Sequence, residues 1–136
     1  MRMQPIALLL AMVTVSACTT AGAPSSTRSP IVGRWSGAHA ELTLTESGGS
    51  IGYDCAHGGL YTPVMPGGGG NFDVLGIHVR EHGGPSRIGE VPDSLPARYL
   101  GQVNGDRMRL RVLVGTDTLG PFDLQLGGTS QLVRCL

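Results

Sequence analysis

The chain has 136 residues and a formal net charge of zero, because ten basic residues, all of them Arg, balance ten acidic ones. A neutral chain without a basic stripe is poorly suited to contact phosphates, so the composition argues against nucleic-acid binding. Once a leader is removed, about a hundred residues remain, which is enough for one domain with one modest core.

The first 17 residues are typical of a bacterial signal peptide. Arg2 precedes an apolar run over residues 6–15, which is too short to span a bilayer core that needs about 20 apolar residues. The following Val15-Ser16-Ala17-Cys18 resembles a bacterial lipobox, in which small residues precede an obligatory Cys. The resemblance implies cleavage before Cys18 and a lipid anchor on its thiol. An ordinary signal peptide with a chance Cys is the alternative.

Residues 18–30 are predicted to form a lipidated, flexible tether. The run "TTAGAPSSTRSP" is rich in Ser, Thr, Ala and Pro and has no hydrophobic periodicity. Twelve flexible residues have a root-mean-square reach of roughly 17–20 Å. We therefore expect the folded domain, residues 31–136, close to a membrane of the cell envelope. This membrane is the outer membrane in a Gram-negative source, and otherwise the outer face of the cytoplasmic membrane.

The three cysteines divide between two roles. If Cys18 carries lipid, Cys55 and Cys135 remain as an even pair in an oxidising compartment. We predict that they form a disulfide, which would close a loop of about 80 residues and stabilise the fold by roughly 4–5 kcal/mol. Two free thiols are the alternative.

Residues 31–136 are predicted to be all-β, because short alternating runs separated by turn residues replace any helical periodicity. Asn104-Gly105 predicts a type I′ hairpin turn, and Gly76 a bulge. Phe122, Leu124 and Leu126 are predicted to face inward. The strands are expected at about 34–45, 50–57, 71–82, 97–103, 107–114 and 121–126, with "QLVRCL" at the end of the chain.

The predicted architecture is a small antiparallel up-and-down meander of seven or eight strands. We favour a barrel over a sandwich, because a barrel leaves no exposed strand edge. The predicted disulfide would also bring the end of the chain to the second strand, as near-closure requires.

Gly33-Arg34-Trp35 resembles the Gly-x-Trp at the start of lipocalin-like small barrels. In those barrels the Trp closes the barrel floor and often packs on a basic side chain near the C-terminus. The resemblance therefore implies closure by Trp35, with Arg134 as its partner. More widely, residues 33–136 resemble an uncharacterised family of small secreted bacterial proteins, which implies no activity. The shared marks are Trp35, His39, "YDCAHG", "HVREHGGP", "YLGQVNGDRMRL", "FDLQLG" and the terminal "RCL".

The repeated His-Gly-Gly, at 57–59 and 82–84, raises the question of a metal or catalytic site. If their strands pair, His57, His78 and His82 form a candidate polar cluster. Two His four residues apart on a strand lie roughly 13 Å apart and cannot bind one ion together, so we expect no metal and no cofactor. The alternative to a polar cluster is that the two motifs only end strands, which then run into long loops at 62–71 and 83–96.

The sequence offers no catalytic residues with a persuasive arrangement. An His-Gly-Gly oxyanion element requires a Gly-x-Ser-x-Gly elbow, which is missing, and Asp54, Glu81 and Asp106 are scattered. We therefore expect a non-catalytic envelope lipoprotein that acts as a binding or accessory module. It would contact the membrane through its lipid, and an envelope protein is a second candidate partner. The alternatives are a protease-inhibitor-like barrel and a small-ligand- or metal-binding periplasmic protein.

Overall fold

The computed structural model describes residues 28–136, so the predicted signal peptide, Cys18 and most of the tether lie outside the described residues. Eight antiparallel strands close into a barrel in sequence order, which confirms the all-β meander and the barrel. In residues 28–136, no helix is both long and apolar enough to cross a membrane. The strands are β1 (Gly33–Gly37), β2 (Ala40–Thr45), β3 (Gly48–Tyr53), β4 (Ala56–Leu60), β5 (Asn71–Arg80), β6 (Asp93–Asn104), β7 (Arg107–Val114) and β8 (Asp117–Leu126).

Strict alternation of apolar and polar residues places one face of each strand in the barrel interior. In β7 the apolar residues Met108, Leu110, Val112 and Val114 are buried, whereas Arg107, Arg109 and Arg111 are exposed. Tyr99 on β6 is fully buried, and its hydroxyl donates a hydrogen bond to the carbonyl oxygen of Ile77 at 2.7 Å. These side chains belong to one core that receives residues from every strand.

Two of the predicted strands are hairpins instead. The stretch 34–45 contains β1 and β2, joined by a turn at 38–39, and the stretch 50–57 crosses from β3 to β4 through a turn at 54–55. Each turn has a non-glycine residue with a positive φ angle, His39 at 68° and Cys55 at 57°. Residues other than Gly rarely adopt this conformation, so His39 and Cys55 do not predict a turn in the way that Gly or Pro does.

Three finer predictions were wrong. The hairpin between β6 and β7 occurs at the predicted Asn104-Gly105. Of its two central residues only Gly105 has a positive φ angle, 61°, so the turn has the pattern of type II′ rather than type I′. Gly76 pairs regularly with Leu60 and with β6, and the bulge lies between Leu110 and Val112. Leu126 is exposed rather than inward.

The two ends of the barrel differ. The disulfide end carries the turns at 38–39, 54–55 and 115–116 and the loop 81–92. The entry end carries the turns at 46–47 and 105–106 and the loop 61–70, and the chain enters β1 there.

The C-terminal segment, residues 127–136, leads from the entry end to the disulfide end. It begins with a hydrogen bond from the Gly127 N–H to the Arg34 carbonyl at 2.8 Å, and Gln131 then forms a parallel bridge with Ala38. The direct β1–β8 contact comprises only the register pairs Trp35–Leu126 and Ser36–Gln125. The segment therefore pairs with the backbone at Ala38, directly after β1, where β8 no longer pairs with the chain.

Candidate functional site

The candidate site with the most apolar lining is an open pocket of about 330 Å³ at the disulfide end, which we call the mouth. Its volume lies at the small end of the range for ligand pockets, about 300–1,000 Å³. The lining is mainly apolar. It also includes charged side chains, which lie at this end of the barrel. The lining residues are His39, Tyr53, Asp54, Cys55, Ala56, His78, Arg80, Leu119, Gly120 and Phe122.

His78 is the buried polar residue of the mouth. Its position on β5 has the parity of Phe72 and Val74, so it faces the interior and is only 5% exposed. Its Nδ1 has no hydrogen-bond partner. Burial, reinforced by the charge of Arg80, lowers the pKa of His78 below its ordinary value, so the imidazole is neutral at pH 7. A neutral imidazole can donate one hydrogen bond and accept another.

One aromatic ring packs against this imidazole, and a second packs against the first. The ring of Tyr53 has its centroid 5.4 Å from that of His78 and 5.5 Å from that of Phe122, and both pairs are tilted. The Tyr53 hydroxyl is also buried without a hydrogen-bond partner, and burial raises the pKa of Tyr53 well above its usual range. Such a cluster offers flat apolar walls to a ring-sized group.

The rim of the mouth is held by the C-terminal segment. His39 and Cys55, the two positive-φ residues, donate backbone hydrogen bonds to the carbonyls of Gln131 (3.4 Å) and Val133 (3.2 Å). Non-glycine residues in this region are strained and persist only where the surrounding structure fixes them, often at functional sites. The segment is therefore part of the construction of the rim.

Asp54 links these elements. It accepts hydrogen bonds from the Val133 N–H at 2.7 Å and from the His39 Nδ1 at 2.5 Å. The Val133 bond, together with His39, lowers the pKa of the Asp54 carboxyl below its ordinary value. The predicted disulfide between Cys55 and Cys135 is confirmed and joins the same turn to the same segment, with Cα atoms 5.0 Å apart.

The predicted partners Trp35 and Arg134 are in different environments. Trp35 is buried in the core, and its Nε1 has no hydrogen-bond partner. Arg134 is exposed on the C-terminal segment directly before Cys135. That Trp35 and Arg134 contact each other and close the barrel therefore stays a prediction.

The predicted polar cluster is divided by the wall of the barrel. His57 pairs in register with Val79 and is exposed, whereas His78 pairs with Gly58 and is buried. His57 and His82 line an outer groove of about 420 Å³. There His57 contacts Glu81 at 2.8 Å and His82 contacts Glu90 at 2.5 Å.

The exposed histidines thus use carboxylate partners of their own. A bond from His82 to the Gly83 carbonyl and one to Glu90 raise the pKa of His82. Within residues 28–136, no three His, Cys, Asp or Glu side chains come together as a metal site.

The two His-Gly-Gly motifs also have different structural roles. The first, predicted to end a strand, lies inside β4, where a Cβ on Gly58 would collide with the Tyr99 hydroxyl. The second does begin a long loop, and a Cβ on Gly83 would collide with the carbonyl oxygen of Leu136. Close packing therefore explains the first glycine of each motif, whereas Gly84 has open space around it and a positive φ angle of 88°.

Sequence reasoning missed most of the mouth. Tyr53, Leu119 and Phe122 were not assigned to it, and His39 was only noted as a shared mark. One usable signal existed for His78, since counting by twos from Phe72 and Val74 assigns it to the interior. No family model, no curated protein and no solved structure matches this chain.

Proposed function

We propose that this protein is a non-catalytic, lipid-anchored binding module of the cell envelope, and that its mouth takes a ring-sized apolar group carrying one hydroxyl. The observation that carries this proposal is His78, a neutral, buried imidazole with an unpartnered nitrogen, set among the apolar walls of a cavity. A buried polar group without a partner is costly, so a ligand that supplies one gains from it.

The lining of the mouth supports binding rather than catalysis. Among its described residues there is no Ser or Thr, and Cys55 is oxidised in the disulfide. The His39–Asp54 pair has the geometry of a general base with its orienting carboxylate. The His39 side chain is mostly exposed and that of Asp54 is one-third exposed, and no Ser or Thr lines the cavity beside them.

The anchor is supported by the lipobox-like residues 15–18. We expect Cys18→Ser to release the protein from the membrane fraction and to remove its acyl mass. Cys135→Ser is the matched control, since it removes another cysteine and should leave fractionation unchanged. Two results together would contradict the anchor. These are retention of the Cys18→Ser protein in the membrane fraction and the absence of acyl mass on the native protein.

The ligand class can be tested by NMR titration with phenol and with toluene, which share a ring and differ in the hydroxyl. We expect phenol to shift the resonances of His78, Tyr53 and Phe122, and toluene to bind more weakly. His78→Phe keeps an aromatic ring but removes the imidazole, so phenol should lose its advantage over toluene. His57→Phe makes the same change outside the barrel and should have no effect. Equal binding of phenol by the native and His78→Phe proteins would contradict the proposed site.

A further inference from the structure

The entry end of the barrel exposes a group of large apolar side chains, which we call the entry face. Val32 is 49% exposed, Tyr61 64%, Met65 46% and Leu126 43%. The disulfide end exposes four others, Ile88, Val91, Val133 and Leu136. Exposed apolar side chains by themselves therefore do not select one end as a contact surface, and the entry face is distinguished by the chain that leaves the barrel there.

Contacts show that Val32, Met65 and Leu126 are neighbours, and Tyr61 begins the loop 61–70 that carries Met65. The Ile31 N–H donates to the Val64 carbonyl at 2.9 Å, which places Val32 beside the residue pair 64–65. On the other side of Val32, a Cβ on Gly33 would lie 2.8 Å from the Leu126 Cδ1. The side chain of Leu126 therefore reaches the start of β1, and the face is continuous from β8 to loop 61–70.

The chain that leads to Cys18 leaves the barrel at this same face. Twelve residues, 19–30, connect Cys18 to Ile31. If they form the predicted flexible tether, their root-mean-square reach of roughly 17–20 Å would keep the entry end near the proposed anchor. A ten-residue strand such as β5, tilted as in other barrels, spans about 25 Å. Contact of the disulfide end with the membrane would therefore require the tether to extend beyond its root-mean-square reach.

We propose that the entry face rests on the lipid surface, with Val32, Met65 and Leu126 at the boundary between headgroups and acyl chains and Tyr61 at headgroup level. Short tethers raise the effective concentration of a linked surface to the millimolar range, so an apolar contact that is weak by itself becomes populated. Tyr suits this position because its ring is apolar and its hydroxyl is polar. This orientation, which rests on the proposed anchor, directs the mouth away from the membrane.

The test uses the lipidated protein in phosphatidylcholine and phosphatidylglycerol vesicles that contain brominated acyl chains, which quench nearby Trp fluorescence. Met65→Trp places a probe on the entry face, and Tyr61→Trp is a second probe at a more exposed position. Ile88→Trp is the matched control, since Ile88 is a fully exposed apolar residue on the loop 81–92 at the other end. The native Trp35 pairs in register with Leu126 at the entry end, so the quenching of the unsubstituted protein is measured separately and subtracted from that of each variant.

We expect quenching of the probes at 65 and 61 and none at 88. Equal quenching at all three positions, or none at 65 and 61 in protein that floats with the vesicles, would overturn the orientation and leave the anchor intact. Failure of the purified native protein to float would overturn the anchor and the orientation together. Phenol binding by the mouth is measured separately and does not depend on any of these results.

Discussion

The hydroxyl oxygen of Tyr99 occupies the space that a Cβ atom on Gly58 would need. Gly76, on the neighbouring strand, is also too close for a side chain, since its Cβ would lie 2.7 Å from the Tyr99 Cε2. The two glycines thus allow one large side chain to fill the middle of the barrel, where its hydroxyl bonds to Ile77. The Gly of the first His-Gly-Gly is accordingly a packing residue.

We expect Gly58→Ala to destabilise the fold by about 1–3 kcal/mol, because Tyr99 and the Ile77 carbonyl would have to move. Gly59→Ala is the matched control one residue along. Its nearest atom would be the Gly49 carbonyl oxygen at 3.6 Å, which is an ordinary contact. Chemical unfolding measures both variants, and equal free energies of unfolding would show that the Tyr99 contact is not limiting.

The disulfide is expected to dominate the stability of the C-terminal segment. It spans 80 residues of sequence, so its removal in the Cys55→Ser, Cys135→Ser double variant should cost about 4–5 kcal/mol by loop entropy. Amide exchange should rise most at Cys55, whose N–H donates to the Val133 carbonyl, and at Val133, whose N–H donates to the Asp54 carboxylate. Equal melting temperatures for the oxidised native protein, the reduced native protein and the double variant would contradict this expectation.

His78 should make the fold sensitive to mild acid. Its pKa is lowered in the folded state by burial, so below about pH 6.5, the ordinary value, the unfolded chain binds more protons than the native one. Stability should therefore fall as the pH drops from about 6.5 towards the folded-state pKa. His78→Phe should remove this slope, whereas His57→Phe should keep it. The measurement is the free energy of unfolding from pH 7.5 to pH 4.5.

Asp54 should control the C-terminal segment over a lower range of pH. Its pKa is also lowered on folding, chiefly by the bond from the Val133 N–H, but here the ionised form is the one stabilised. This contribution is complete above about pH 4, the unfolded value, and is lost as the pH falls through the folded pKa. The Val133 amide resonance should report the titration in NMR. Asp54→Asn should leave the segment attached without the titration, and a Val133 resonance that titrates equally in the variant would refute the assignment.

The alternation in β7 and the Asn104-Gly105 signal were sufficient to predict an antiparallel meander, because both are local consequences of strand geometry. The Cys55–Cys135 pairing was predictable from the count of cysteines. The turns at His39 and Cys55 were not, since their conformations depend on hydrogen bonds to Gln131 and Val133, far along the chain. Without those turns, the predicted strand 50–57 assigned His57 to the wrong face relative to His78.

The sequence by itself determined the fold class, the direction of most strand faces and the disulfide, because burial of alternating apolar residues and pairing of two cysteines are properties of local pattern and composition. Only the tertiary structure decided that His78 is alone in an apolar mouth while His57 and His82 face solvent with their own carboxylates. Closure of the barrel sets which side chains share an interior, and that depends on the register of all eight strands at once.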